Sequence, residues 1–336
     1  MTFLKVYNIK RIRSVWKELY SESEEMLTPY QSYSINYDYY NSFYFSPKRW
    51  KYKPVFVVAK EAYKVIAIIP CCESKNYVED FCSQSPIDYY DWIVSPKLKD
   101  EEWNELFEGL KKLFNGKKFS FHRIRNTSKL FEFFNTKSNE IQITEDELCG
   151  NNLDCSDWDN WYNDLSKHMR QNLRTAYNKI QKENKSLKLH VFTSDNWNEN
   201  SFYEECRNFY EDRCFTKNHL RFRKIKDILR RKYNPIGISL STHRNRIMFV
   251  LTLDDLPVSF FAGFFSNTEN LVIPRLSMNE KYSKYDVVSL LVSEAIKYLN
   301  TCVFPQIKML DLTRGGEPYK FKLGAKEAFI YKCSFN

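Results

Sequence analysis

The amino-acid sequence predicts an α+β fold in which a mixed, mostly antiparallel sheet is flanked by helices. Hydrophobic residues make up 43% of the chain and charged residues 28%, which is enough apolar surface for a folded core. Several β-rich segments follow one another as hairpins rather than as strand–helix–strand repeats, and this order disfavours a doubly wound parallel sheet. The 336 residues suffice for about two domains.

In the first half of the chain, hydrophobic periodicity predicts two helices, one β-hairpin and one further strand. The helices cover residues 10–26 and 101–114, the hairpin strands 55–59 and 65–69, and the further strand 118–124. Residues 135–160 are polar, rich in Asn and Asp, and contain one of the few glycines, Gly150. Such a composition indicates a boundary, so we expect one domain in 1–150 and a second in 151–336.

The second half has a clearer pattern. Apolar residues recur every three or four positions from Leu165 to Ile180, which predicts an amphipathic helix, with Asp157 or Asp159 as its N-cap. Further helices are predicted over 197–214, 221–233 and 287–299. Strands are predicted over 187–193, 247–253, 258–265, 271–276, 307–312 and 328–333.

Positive charge is concentrated in two stretches. The chain has a formal net charge of +9, which favours acidic partners. Residues 166–190 contain seven basic residues and one acidic residue, and residues 217–232 contain eight and one. Arg170 and Arg174 are four positions apart on one helical face, a spacing that suits a diphosphate, although a solvated polar face gives the same pattern. No motif of a known nucleic-acid-binding module is present, so we do not expect nucleic acid as a general partner.

Composition and spacing exclude several classes of site. Eight glycines leave no Walker loop and no GxGxxG turn. The five histidines have no metal-ligand spacing and the nine cysteines form no CxxC pair, so we predict no metal site and free thiols in a reducing compartment. No apolar run approaches the length of a membrane span. We therefore expect a cytoplasmic protein.

The segment from Asp311 to Lys320, with the sequence DLTRGGEPYK, is the most informative. It follows a predicted strand and contains two adjacent glycines, Gly315 and Gly316, in a chain poor in glycine. This pair indicates a special backbone conformation or the close approach of a ligand. An acid, a phenol, a guanidinium and an amine lie around it, which favours a functional site over an ordinary loop.

These residues resemble a known family. The segment 311–320 looks like the D-x-x-R-G-x-x-x-Y-K signature of CelD-type acyltransferases, a branch of the GNAT superfamily related to the Fem-type aminoacyl transferases. Residues 165–174, LSKHMRQNLR, are similar to the L-S-x-x-x-R-x-N-L-R helix of that family, and 55–70 resembles its N-terminal hairpin. The matches extend over residues 50–333.

The resemblance implies tandem GNAT-like domains, of which the N-terminal one is degenerate and the C-terminal one carries the site. It also implies acyl transfer from acetyl-CoA or another acyl-CoA to an amine, commonly an amino sugar or a nucleotide-linked sugar for a surface polysaccharide. Within this interpretation we choose Glu317 as the general base and Tyr319 as the general acid.

The remaining candidates are basic. Arg170, Arg174, Arg314 and Lys320 are predicted to bind phosphates of the donor or the acceptor. We expect Arg275, on an otherwise apolar strand, to point into the cleft.

Two alternatives stay open. A Fem-type transferase would use aminoacyl-tRNA, bound by the basic stretches. A catalytically inactive GNAT-like binding module would need no chemistry. The second alternative is favoured by one departure: the family tends to have Pro-Gly before the helix that matches 287–299, where this chain has Asp286, Val287 and Val288.

Overall fold

The computed structural model describes residues 1–81, 87–218, 235–265, 269–301 and 307–336. These residues form two compact units. Unit 1 consists of the described residues within Met1–Cys149, Tyr233–Ser239 and Phe329–Asn336, and unit 2 of those within Gly150–Lys232 and Leu240–Ala328. The helix predicted over 221–233 lies outside the described residues. The interpretation of 1–150 and 151–336 as two GNAT-like domains stays a prediction.

Thirteen strands are described, which we number in chain order. They are β1 (Thr2–Val6), β2 (Lys53–Glu61), β3 (Lys64–Glu73), β4 (Tyr77–Asp80), β5 (Ile93–Val94), β6 (Lys118–Arg125), β7 (Gln142–Asp154), β8 (Leu187–Thr193), β9 (Arg246–Leu253), β10 (Leu256–Phe265), β11 (Asn270–Met278), β12 (Met309–Asp311) and β13 (Lys326–Phe335).

The described α-helices are numbered in the same way. They are α1 (Arg13–Ser23), α2 (Tyr33–Phe43), α3 (Asp100–Leu113), α4 (Lys129–Thr136), α5 (Trp158–Asp164), α6 (Lys167–Lys182), α7 (Tyr203–Asn218), α8 (Pro235–Thr242), α9 (Val287–Thr301) and α10 (Pro318–Lys322).

Unit 1 contains the predicted hairpin, formed by β2 and β3. Its sheet runs in the order β1-β2-β3-β4-β6 and ends with 329–335 of β13. The core is unusually aromatic: Trp92 stacks on Trp103 and meets Phe121 and Phe134 edge-on. Aromatic pairs of this geometry add stabilisation beyond the area they bury.

Unit 2 has the strand order β7-β12-β11-β10-β9-β8. The neighbouring strands are antiparallel except β11 and β12, which are parallel. A mixed, mostly antiparallel sheet flanked by helices is therefore present, and the predicted α+β class is confirmed.

The two faces of the unit 2 sheet carry different helices. On one face, Met169, Leu173 and Ile180 of α6 join a buried cluster with Phe261 of β10 and much of α9. On the other face, Phe209 of α7 packs against Phe260, the next residue along β10. Because adjacent residues of a strand point to opposite sides, α6 and α9 cover one face and α7 covers the other.

Local structure departs from the sequence predictions at three places. Helix α6 is capped by Ser166, whose hydroxyl accepts a hydrogen bond from the Met169 amide at 3.1 Å, whereas Asp157 caps the separate helix α5. Strand β7 lies in the polar region that we expected to be a boundary. Pairing with β12, rather than an alternation of apolar residues, holds this strand in the sheet. Helix α10 has five residues, too few for a periodic signal.

Six cysteines are described as free and buried: Cys71, Cys72, Cys149, Cys155, Cys206 and Cys333. Burial raises the pKa of Cys155 and Cys333 to about 12, so both thiols are protonated and unreactive at neutral pH. Among the described residues no helix has the length and hydropathy needed to cross a bilayer.

Candidate active site

The parallel strands of unit 2 separate partway along their length. Asn270–Val272 of β11 pair with Met309–Asp311, the whole of β12. Strand β11 then continues to Met278, while the chain after β12 turns away. The pairing between these two parallel strands therefore covers only the first part of β11.

A β-bulge lies at the same level. The register changes from Phe264 opposite Val272 to Ala262 opposite Arg275, so Gly263 faces two residues of β11. A Cβ on Gly263 would lie 2.0 Å from the Val272 carbonyl oxygen, and therefore only glycine is tolerated there. The bulge directs the side chain of Arg275 to the face covered by α7.

A cavity of about 480 Å³ lies at the start of α9. It is formed within unit 2 by α6, the turn at Glu280–Tyr285, the first turn of α9, and α10. Its polar lining includes Lys179, Lys284, Asp286, Tyr319 and Lys322. It is thus bounded by the C-terminal part of the segment that resembles the acyltransferase signature.

The first turn of α9 faces this cavity. Asp286 adopts a left-handed conformation, with φ of 50°. Its carboxylate accepts a hydrogen bond from the Ser289 hydroxyl at 2.9 Å. Val287 is fully buried in the unit 2 core and Val288 is part of the cavity wall. The side chain of Val287 therefore points away from the cavity.

Three lysines make the cavity positive. Lys179 donates to the Lys284 carbonyl at 3.4 Å, and the Lys284 ammonium is 3.9 Å from the Glu183 carboxylate. The Tyr285 hydroxyl also donates to Glu183 and lowers the pKa of that exposed carboxyl. Lys322 is exposed on α10. The lining contains these three lysines and one acidic residue, Asp286. Its net positive charge favours an anionic ligand.

The turn after β12 has the unusual backbone that the Gly-Gly pair indicates. Thr313 has φ of 59° and Gly315 has φ of 100°. A Cβ on Gly315 would lie 2.5 Å from a carboxylate oxygen of Glu317. A β-branched residue such as Thr313 is rarely found at positive φ, so neighbouring contacts must hold this turn.

Lys320 provides those contacts. It is 2% exposed, and its ammonium donates to the carbonyls of Thr313 at 3.3 Å, Arg314 at 2.7 Å and Gly315 at 3.1 Å. It also lies 3.0 Å from the Glu317 carboxylate. All of its donors are directed at the turn, and this differs from the arrangement expected of a phosphate ligand at the rim of a site.

The two candidate catalytic residues lie at the start of α10. Glu317 is the N-cap residue, with 51% of its side chain exposed. Tyr319 is half-buried, packs against the unit 2 core and lines the cavity. Because the segment is helical rather than extended, neighbouring side chains differ by about 100° instead of pointing to opposite sides.

The other sequence candidates lie away from the cavity. Arg170 donates to the Asn163 carbonyl, and Nε of Arg174 donates to the Tyr162 hydroxyl at 2.7 Å. Both positions are two residues from Asn172, which lines the cavity, and so lie about 160° from it around α6. Arg314 is partly exposed in the turn after β12. Phosphate binding by these three arginines stays a prediction.

The cavity lysines were missed because no sequence spacing connects them. Lys179 is on α6, Lys284 in the turn before α9 and Lys322 on α10. Only the tertiary fold brings such distant positions together. Among the described residues, no cluster of His, Cys, Asp and Glu has the composition of a metal site.

Residues 167–321 match the family model described as an acetyltransferase (GNAT) domain. This match covers just under half of the chain. The prediction of a GNAT-type N-acyltransferase is confirmed at this level, while the CelD-type assignment stays a prediction. No curated protein sequence is significantly similar to the chain.

Several solved structures share the fold of this chain. A conserved protein of unknown function from Bacteroides thetaiotaomicron has a TM-score of 0.60 at 11% identity, with 99% of each chain covered. FemX has a TM-score of 0.59 at 8% identity, with 99% of this chain and 97% of FemX covered. The C-terminal domain of a putative lysylphosphatidylglycerol synthetase from Agrobacterium fabrum has a TM-score of 0.58 at 10% identity, with coverages of 98% and 92%.

Proposed function

We propose that the protein is an acyl-CoA-dependent N-acyltransferase whose acceptor is an amine, in the class of amino sugars and sugar nucleotides used for surface polysaccharides. The observation that carries this proposal is the cationic cavity at the start of α9, whose lining includes Tyr319. A GNAT domain covering 167–321 supports the reaction class. The acceptor class rests on the resemblance to CelD-type acyltransferases.

The residues around the cavity fit the phosphates of coenzyme A. Lys179, Lys284 and Lys322 supply positive charge, and the first turn of α9 supplies backbone amides at a helix N-terminus. The negative charge of Asp286 acts against the binding of an anion. The Ser289 hydroxyl donates a hydrogen bond to one oxygen of this carboxylate. The balance of charge still favours an anion.

When bound, acyl-CoA supplies an activated thioester. Glu317 accepts the proton that the attacking amine loses, and Lys320 fixes the position of its carboxylate. Tyr319 donates its phenolic proton to the leaving group from the cavity wall. General acid and base catalysis of this kind contributes roughly 10²- to 10⁴-fold to a rate.

Thermal unfolding in the presence of acetyl-CoA and longer acyl-CoAs tests the donor. A ligand at about 100 times its Kd stabilises the folded state by about 2.7 kcal/mol. Lys179→Ala is expected to weaken donor binding about ten- to hundred-fold, as the loss of a charge-assisted hydrogen bond does. Lys167→Ala is the matched control, since Lys167 is exposed on the same helix and does not line the cavity.

The absence of any acyl-CoA effect at millimolar concentration would overturn the proposal. Salt-dependent binding of aminoacyl-tRNA in that case would favour the Fem-type alternative. Acyl-CoA binding without release of free CoA in the presence of any amine would favour the inactive binding module.

A further inference from the structure

Buried donor groups lie on the face of the unit 2 sheet that α7 covers. Arg275 and Ser277 of β11 stand directly opposite Ala262 and Phe260 of β10. Phe260 contacts the ring of Tyr210, a residue of α7. Directly opposite residues share a face, so Arg275 and Ser277 lie beneath α7, on the side of the sheet away from the cavity.

Arg275 is buried, and no carboxylate of the described residues pairs with it. It is 7% exposed, and its guanidinium carbon lies 4.2 Å from the centre of the Tyr210 ring. Neither its Nε nor the hydroxyl of Ser277 has a hydrogen-bond partner among the described residues, and no described carboxylate pairs with this arginine. Arginine stays charged when buried. An unpaired buried cation is unfavourable, so an anion provided by a ligand would stabilise this position.

Two more arginines lie near Tyr203, another tyrosine of α7, together with Arg275. Burial raises the pKa of Tyr203, and the charges of Arg207 and Arg275 act against that rise. Burial lowers the pKa of Arg246, and Tyr203 opposes that change. Tyr203 is therefore close to all three arginines. We call Arg207, Arg246 and Arg275 the arginine cluster.

The cluster has an excess of positive charge. Arg207 pairs with Glu204 and Glu211 of its own helix. Arg246 instead lies 4.5 Å above the ring of Trp197, and its Nε has no hydrogen-bond partner among the described residues. Two guanidinium groups, those of Arg246 and Arg275, thus remain without a described carboxylate.

The cluster lies near the end of the pairing between β11 and β12. Arg275 is three residues beyond Val272, where β11 loses its pairing with β12. The donor cavity lies on the face covered by α6 and α9, and the arginine cluster lies on the opposite face. An acceptor bound at the cluster would approach the thioester from the side of the sheet opposite the cavity.

We propose that the arginine cluster binds an oxyanion, a carboxylate or a phosphate, carried by the amine acceptor, with Arg275 as its principal ligand. A guanidinium fork matches both groups with two parallel hydrogen bonds. The proposal rests on the proposed N-acyltransferase function. It restricts the acceptor to amines that also carry an anionic group.

Thermal unfolding with inorganic phosphate and with acetate, at constant ionic strength in chloride, tests the cluster without any reaction. Wild-type protein is expected to be stabilised by at least one of these anions. Arg275→Gln is expected to weaken the effective anion affinity about ten- to hundred-fold. Arg244→Gln, the same charge change at an exposed neighbouring position, is the control and should leave the affinity unchanged. Ser277→Ala is a milder second variant that should weaken the affinity several-fold.

The outcomes separate the two proposals. Anion binding at the donor cavity is weakened in a Lys179→Ala background, where the effect of Arg275→Gln should persist. Equal anion affinity in wild type, Arg275→Gln and Ser277→Ala, or no stabilisation of wild type by up to about 100 mM anion, overturns the acceptor subsite alone. Anion binding that depends on Arg275, without any acyl-CoA binding, supports the acceptor subsite. It overturns the proposal that acyl-CoA is the donor.

Discussion

At the scale of single residues, the short helix α10 places two neighbouring side chains in different roles. Tyr319 lines the cavity, whereas Lys320 is enclosed and directed at the turn after β12. The sequence segment 311–320 drew attention to both, but a linear motif cannot tell a ligand-facing group from one that stabilises the loop. The distinction depends on the direction of each side chain, and that follows from the helix.

Tyr319→Phe separates catalysis from packing, because it removes the hydroxyl and keeps the ring against the core. If the hydroxyl donates a proton in the transition state, kcat falls by about 10²-fold or more while KM changes little. Steady-state release of CoA, with acyl-CoA and an accepted amine, measures both constants. Wild-type kcat in this variant would remove Tyr319 from the chemistry.

Lys320→Met is predicted to act on stability. It leaves the carbonyls of Thr313 and Arg314 without the Lys320 ammonium, while the Gly315 carbonyl still accepts from the Gly150 amide at 3.1 Å. Each buried group left unsatisfied costs about 1–3 kcal/mol. We therefore expect a loss of about 2 kcal/mol or more in the free energy of unfolding, measured by urea denaturation. Lys322→Met, an exposed lysine of the same helix, should change it by less than about 0.5 kcal/mol.

At the scale of elements, periodicity predicted the helices and strands but not their partners. The apolar stripe of α6 correctly placed Met169, Leu173 and Ile180 in the core. The same stripe cannot tell which polar flank borders a cavity. Arg170 and Arg174 formed the conspicuous pair, yet the flank with Asn172 and Lys179 borders the cavity.

The start of α9 gives a prediction about charge. Asp286→Asn keeps an oxygen that can accept from Ser289 and a residue type that tolerates positive φ. It removes the one described carboxylate in the cavity lining. Donor binding should therefore tighten about two- to five-fold, the equivalent of roughly 0.4–1 kcal/mol. Isothermal titration with acetyl-CoA measures this change, and weaker binding would mean that the carboxylate itself holds the ligand.

At the scale of the whole molecule, the α+β class and the GNAT domain were accessible from the order of elements and two motifs. The parallel contact between β11 and β12 and the bulge at Gly263 were not, because they depend on pairings between residues distant in the chain. The arginine cluster was hidden for the same reason. Arg275 was singled out as a polar residue on an apolar strand, but its neighbours come from α7 and β9.

Buried titratable groups make the stability of the molecule depend on pH in opposing ways. Burial raises the pKa of Asp91 to about 7 and of Asp38 to about 6. Burial lowers the pKa of His243 to about 4. As pH rises from 4 towards 7, the two acids make the free energy of unfolding fall, whereas the histidine makes it rise up to about pH 6.5. The total profile is therefore flatter than any single contribution.

Asp91→Asn isolates one of these contributions. Asp91 is 4% exposed; its Oδ1 accepts from the Trp92 amide at 2.9 Å, and Arg125 lies 4.0 Å from Oδ2. Between pH 4 and 7 the carboxyl is ionised in the unfolded chain and protonated in the folded one, so the folded state binds more protons. The free energy of unfolding of the wild type therefore falls as pH rises, by about 1.4 kcal/mol per pH unit from this site.

In Asp91→Asn, the asparagine can still accept from the Trp92 amide and does not titrate. Relative to wild type, the variant should therefore gain stability between pH 5 and 7 and stay level from 7 to 8, as measured by urea denaturation at each pH. A constant difference across this range would mean that Asp91 is ionised in the folded protein, with Arg125 as its counter-ion.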